Sequence, residues 1–538
     1  MKRQIYAGIG LLHAGSAVAE YIWPSKIDYL EDVVMLQTGY IHMGFSDDTQ
    51  NAAEWVRTGF HDMATHDAAT KTGGLDASIL FEWDRPENPG RAFNNTLGFM
   101  KNFYSVRSSA SDLVALGVVA AIQMCDGPWI PFRTGRIDAA EAGPSGVPEP
   151  TQDIETHTEK FAKAGFNTSD MITMVACGHS LGGIHNNDFP EITGDTTPDV
   201  THMFELDDSN AVFDNAIVTE YLDGSTDNPL VSGSNDTTNS DKRVFAADGN
   251  ATMKALADPA AFQAKCADIL ERMINTVPST VTLSEPMQAI DVKPYITTLA
   301  LNSDGAIQFS GRIRLRITER PDNANTTLHL TYADRSGANA STIIKTTRAT
   351  LIGGTSSGLY NEALAWYEFA TALDAAAGIS KFHVHITTPS SGEAAVADNG
   401  GGGFPIDDAV LYQEAQSCVK AAGAGASTST STTQEDVTLA AAVRADRADE
   451  PLTLEMAYVV PRPGAVLHGF DVRQSAFERS ASANAVAEKA GYVMYAAKTQ
   501  VELSNARTTF DIILGSGETE SRVEFKDTRT LTDVCASL

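Results

Sequence analysis

Near Pro278 the hydrophobic period of this chain switches, and the switch confines it to at least two differently built parts. Residues 27–275 read as mostly helical. The run 112–124 is apolar enough for a buried helix, with Ser111 as its N-cap, and 169–179 has the same character. Gly- and Pro-rich connectors such as 143–148 separate these segments. Beyond Pro278, Ile307, Phe309, Ile313, Leu315 and Ile317 alternate with polar residues that include Arg312, Arg314 and Arg316. Leu328/Leu330/Tyr332 and Phe382/Val384/Ile386 repeat that period of two, which is a strand signal. A Ser/Thr tract at 427–433 reads as a linker. The sequence therefore predicts a multidomain chain with a mainly-α domain at 20–280 and a β-rich, sandwich-like C-terminal region. That region divides into a module at 281–420, a linker at 421–436 and a second module at 437–538. A length of 538 residues suits two to four such units.

The formal net charge is −30, and most of the acidity falls on residues 20–280. A chain so acidic is a poor nucleic-acid binder and a poor ligand for anionic membranes. Lys2 and Arg3, an apolar run from Ile5 to Leu12 and the small residues Ala17-Val18-Ala19 have the layout of a signal peptide at 1–19, so secretion is expected. Export permits disulfides, and the odd count of five cysteines leaves at least one unpaired. Cys418 and Cys535 flank the last module and are candidates to pair, whereas Cys177 reads as a small apolar filler. Glycosylation triplets stand at Asn94, Asn167, Asn235, Asn250, Asn325 and Asn339.

The first dense chemical cluster is Arg57-Thr-Gly-Phe60-His61-Asp62. On a helix, Arg57 and His61 share one face, where a fixed cation beside an imidazole can polarise and protonate a small oxygen species. Gly73-Gly74-Leu75-Asp76-Ala77-Ser78 follows, and about a hundred residues later comes Met174-Val-Ala-Cys-Gly178-His179-Ser180.

Together with 111–116, 132–138, 146–150, 207–214 and 245–248, these motifs resemble the plant and fungal haem peroxidases, the secreted fungal class most of all. They run in the family's order over about residues 40–275. The resemblance implies haem b and two Ca²⁺ as cofactors. It implies His179 as the proximal iron ligand, Asp248 as the partner of its other nitrogen, His61 as the distal base and Arg57 as the residue that steadies developing negative charge. Phe60, before the distal histidine, agrees with the secreted classes. Glu87 with Asn94 stands where the carboxylate and amide that support the distal histidine belong, one residue wider than the family's spacing, with Asn95 as a rival. Asp62, Gly74, Asp76 and Ser78 match the distal calcium site. Ser180, Asp207, Ser209, Val212 (through its carbonyl) and Asp214 match the proximal one. Oxygen-only donors of this kind suit calcium.

The resemblance has gaps. The three manganese positions of relatives correspond to Gln50, Glu54 and His185, with one carboxylate among them. Met174 occupies the place of the exposed Trp of ligninolytic relatives. Cys125 sits where a half-cystine belongs but has no evident partner. The implied activity is H₂O₂-dependent, one-electron oxidation of small phenolic donors, with a manganese-type peroxidase as the alternative. A wall- or glycan-binding protein carrying a haem domain is the rival from another class, with polysaccharide contact through 281–538. In that second half, His383 and His385, with His329, read as a solvated strand face, and Trp366 and Tyr367 as the core of an amphipathic helix.

Overall fold

A computed structural model describes residues 21–36, 51–197, 201–320, 323–388, 393–421, 434–480, 484–502 and 508–537. The signal-peptide segment, Gln50 and the whole Ser/Thr tract lie outside these residues. The described chain is mainly helical as far as Pro259–Ile274 and strand-rich from Val292 onward, on either side of the period change near Pro278. No described helix is long and apolar enough to cross a membrane.

The helical half is organised around Ala110–Met124, thirteen of whose residues are buried. Its N-cap is Ser109, whose side chain accepts from the Asp112 amide, two residues before the predicted Ser111. Ser111 is instead drawn inward to Asp138, and Asp112 pairs with the buried Arg136 at 2.9 Å. The helix Asn51–Met63 crosses this central helix closely at Gly59, where a Cβ would stand 2.5 Å from Val118. A glycine in the Arg57–His61 segment thus lets the chemical face of one helix sit hard against the core.

The second half forms two sandwiches. In the first, one sheet runs Val292–Leu301, Ile307–Arg316, Ala363–Leu373 and Thr347–Arg348. The other runs Glu393–Ala397, Lys381–Thr388, Thr327–Ala333 and Ile344–Lys345. Ile307, Phe309 and Phe369 from one sheet and Leu330, Phe382 and Val384 from the other share a core. In the second, Gln434–Arg444 and Tyr492–Glu502 face Leu452–Val460 and Thr509–Leu514 across a core that includes Leu439, Val443, Leu454 and Ile512. The module boundary differs from the predicted 420. Val410–Tyr412 and Cys418–Ala421 both pair with Gln434–Arg444, so the second sandwich begins near residue 409, ahead of the Ser/Thr tract. Trp366 and Tyr367 lie on the strand Ala363–Leu373, not on a helix. Tyr367 is buried, and the alternation of a strand points Trp366 to the opposite face, so the two do not share one core face. His329 and His385 are directly opposed across two strands, with their rings stacked 4.7 Å apart.

Two disulfides are present among the described residues. Cys418–Cys535 ties the end of the chain to the second sandwich. Cys177 is no apolar filler: it bonds Cys266 and pins Thr168–Gly178 to Pro259–Ile274. A small residue on a buried helix looks the same in sequence whether it fills space or forms a bridge. Cys125 is free and buried.

A buried ion cluster joins the helical and β halves. The short helix Asp28–Met35 lies over the outer face of the first sandwich, so Arg314, one of the polar residues that alternate with apolar ones along its strand, is fully buried. Glu31 bonds Arg314 through one oxygen and Lys293, 2.9 Å away, through the other. Lys293 also donates to Asp32 at 2.8 Å. Removing one member strands the others in a dry site. Glu31→Ala should therefore lower unfolding stability by about 3–5 kcal/mol in denaturant titration. A loss below about 1 kcal/mol, the scale of an exposed pair, would show that the cluster is solvated.

Candidate functional site

Arg57, Phe60 and His61 project from Asn51–Met63 into a cavity of about 470 Å³. Asn88 orients the His61 imidazole: its Oδ1 lies 2.7 Å from Nδ1, while its Nδ2 donates to the Glu82 carbonyl at 2.9 Å. Because the Asn88 amide spends its donor on Glu82, its oxygen faces the ring, and His61 Nδ1 must carry the proton. The Nε2 lone pair is then left free. The Glu82 carboxylate, fully buried, accepts from the Gly143 amide at 2.6 Å.

The residues expected in these places stand elsewhere. Asn94 is exposed on Ala92–Met100, whose buried face is Phe93, Thr96, Leu97 and Met100, a spacing that turns position 94 to solvent. Asn95 donates to Glu54 at 2.8 Å. Glu87 accepts from the Gly146 amide at 2.9 Å. The overlooked signal was the six-residue interval from Glu82 to Asn88, one shorter than that from Glu87 to Asn94.

Burial and the neighbouring Arg57 hold the His61 imidazole down at about 3, so at neutral pH it is an uncharged base. Burial lowers Arg57 only to about 10, and it stays a cation. Its guanidinium donates to the Pro89 carbonyl at 2.9 Å and lies 4.7 Å from the centre of the Phe93 ring.

The opposite wall carries His179. The helix Thr168–Gly178 starts with a capping box between Asn167 and Asp170 and ends with His179 at its C-cap. His179 Nδ1 lies 2.8 Å from Asp241 Oδ2, and Asn228 holds the same oxygen at 3.1 Å. Asp248, expected to be this partner, instead accepts from the Ala251 and Thr252 amides and starts the next helix, Ala251–Leu256. Asp241 sits at the first turn of Ser240–Phe245, seven residues earlier, with its side chain buried. Burial pulls the His179 imidazole down, but the Asp241 carboxylate more than offsets it, and the net direction is up. A carboxylate only accepts, so Nδ1 keeps its hydrogen and Nε2 faces the cavity, as a metal-ligating histidine requires. Met174, Leu181, Ile184 and Leu270 add apolar surface to the lining. A slot between an imidazole lone pair and an Arg–His pair fits a planar iron macrocycle.

The oxygen-rich loops flank the two histidines. Asp62 accepts from the Ala77 and Ile79 amides at 2.7 and 3.0 Å, and Asp76 accepts from Ser78 at 3.1 Å. Gly74, with φ +109°, brings its backbone against the Thr276 carbonyl, 2.5 Å from where a Cβ would stand. Burial, then Asp76, pushes the Asp62 carboxyl well up. On the other side, Asp207 and Asp214 converge on Ser209, and Val212 follows in the same turn. Ser180 Oγ donates to the Cys177 carbonyl at 3.0 Å. Asp207 Oδ2 is buried with no hydrogen-bond partner, and burial pushes this carboxyl up to about 7. Among the described residues, no cluster of three or more His, Cys, Asp or Glu side chains is arranged around a metal, so any cation here would rely on hydroxyl and carbonyl oxygens as well. Glu54 and His185 both line the cavity. Glu54 is pushed up to about 7 by burial.

Residues 39–261 match the family model described as peroxidase. A WSC domain-containing protein of Arthroderma benhamiae is 42% identical over 393 residues, which cover 70% of this chain and 54% of that protein. The peroxisomal L-ascorbate peroxidase 5 of Arabidopsis thaliana is 32% identical over 175 residues, or 32% of this chain and 58% of the relative. The mitochondrial cytochrome c peroxidase of Cryptococcus neoformans is 33% identical over 150 residues, or 26% of this chain and 39% of the relative. The chain thus spans little more than half the length of the first of these relatives.

Histidine NMR of the apoprotein should show His61 neutral, with its proton on Nδ1, from pH 8 to below pH 5; a midpoint near 6.5 would contradict the buried, Asn88-bound geometry. An unfolded histidine takes up a proton near 6.5 and the folded His61 only near 3. This residue should therefore make the fold less stable as pH falls through that window.

Proposed function

We propose, from the premise that the helical half belongs to the haem peroxidase superfamily, that this protein is a peroxidase that uses H₂O₂ to oxidise small phenolic donors. One observation carries the reading: two histidines, each tied through Nδ1 to a buried acceptor, line one cavity with Arg57 beside the distal one. Through Nε2, His179 would hold haem iron, and Phe60, Met174 and Leu181 would pack the ring. Bound there, haem supplies a redox-active iron able to take two oxidising equivalents from peroxide and pass them on singly.

The protein's own part follows from its protonation states. His61 Nε2, uncharged at neutral pH, accepts a proton from the near oxygen of H₂O₂ and returns it to the departing one. Arg57, still charged, steadies the negative charge that builds on the departing oxygen in a site of low dielectric. Asp241 keeps His179 oriented and electron-rich.

Phe60 before His61 supports a likeness to the secreted fungal class, and the pattern of residues 1–19 supports export. Small phenols are better supported than manganese as donors, because Glu54 is engaged by Asn95 and His185 offers no carboxylate. The orphaned Asp207 oxygen and the raised Asp62 support a calcium ion at each loop cluster.

His61→Leu should lower kcat/KM for H₂O₂ by about 10²–10⁴-fold in a phenol-oxidation assay while haem stays bound. Wild-type phenol oxidation that runs equally well without H₂O₂ would sink the reading. A calcium chelator should lower the melting temperature and added Ca²⁺ should restore it; melting indifferent to both would remove the calcium assignment.

A further inference from the structure

The distal histidine depends on a turn that the β half holds from outside. Asn88 is anchored on the Glu82 carbonyl, and Glu82 ends the tight turn Ser78–Phe81. The backbone of that turn is fastened by residues 461–468, the connection between the second-sandwich strands Leu452–Val460 and Gly469–Ala476. The Val466 amide donates to the Leu80 carbonyl at 3.1 Å. Arg462 lies 4.6 Å over the Phe81 ring and donates to the Ala139 carbonyl at 2.7 Å. Ala139 in turn donates to the Asp76 carbonyl at 2.7 Å, closing a loop of contacts around residues 76–82. Leu467 is 1% exposed and belongs to the core of the helical half, while His468 and Phe470 pack on Tyr104.

We propose that the 461–468 loop is an intramolecular clamp for the distal site, with Arg462 as a positioning residue that acts on His61 through the Ser78–Glu82 turn and Asn88. The inference rests on the peroxidase reading for its catalytic consequence but not for its mechanics. Each link is a hydrogen bond or ring contact already described, and the distance in sequence from the turn to Glu82 is a single residue beyond Phe81. An Ala139 or Leu80 carbonyl released from its donor must find water or shift, and the Glu82 carbonyl shifts with the turn. The β half thereby gains a role that needs no ligand of its own: it keeps Nε2 of His61 aimed into the cavity.

The test uses the full chain. Arg462→Ala should speed backbone hydrogen exchange across residues 78–88 in the apoprotein, with the rest of the helical half unchanged. In the haem-loaded protein it should slow association of hydrogen cyanide, which must give up its proton to a base on binding, by about 3- to 10-fold, with the KM for the phenol unmoved. Arg107→Ala breaks a different contact between the halves, the 2.9 Å pair with Glu524, and should change neither reading. If Arg462→Ala fails to fold, Arg462→Met keeps an aliphatic stem in that place and removes the guanidinium from the Phe81 ring and the Ala139 carbonyl. Unchanged exchange at 78–88 in the folded variant, or an equal change in Arg107→Ala, overturns the clamp. A wild type that binds no haem would sink the peroxidase reading and leave the exchange result to decide the clamp alone.

Discussion

Two hydrogen bonds of nearly equal length, His61 to Asn88 at 2.7 Å and His179 to Asp241 at 2.8 Å, set what the cavity can do. Each fixes which ring nitrogen carries hydrogen and leaves the other nitrogen to the cavity. The acceptors differ in kind, and so do the consequences. Burial and the neighbouring Arg57 keep His61 uncharged, and its amide partner brings no negative charge to oppose them, whereas a buried carboxylate makes His179 richer in electrons. The surrounding fold serves these two bonds. The Cys177–Cys266 bridge holds the helix that ends at His179, and the glycine crossing at position 59 seats the helix that carries His61.

The β half is mechanically continuous with this arrangement. Its first sandwich is tied to the Asp28–Met35 helix by fully buried charges. Its second sandwich sends Leu467 into the helical core and Arg462 onto the Phe81 ring. Buried charge of this kind is a costly way to join two surfaces, and it fixes their register because both Glu31 oxygens are already committed.

Much of this was legible in sequence because the signals were local. The change of period located the boundary, and the Arg57-Thr-Gly-Phe60-His61 and Cys177-Gly-His179 segments placed both imidazoles. The failures share a cause. Asn88, Asp241 and Glu82 reach their partners through tertiary approach, and an Asp or Asn at a turn reads alike whether it caps a helix, as Asp248 does, or orients a ring, as Asp241 does. The burial of Arg314 has no local signal, because a strand's polar face stays solvated only if nothing covers it, and the covering helix lies nearly three hundred residues earlier. The early start of the second sandwich was hidden because Val410–Tyr412 and Cys418–Ala421 are too short to show a period of their own.

The central claim is that His179, held by Asp241, presents a ligand nitrogen to haem iron. Titration of haem into the apoprotein, followed by absorption spectroscopy, tests it most directly. Wild type should take up one equivalent and develop a Soret band that His179→Ala cannot reproduce. An identical band and stoichiometry in His179→Ala would contradict the account.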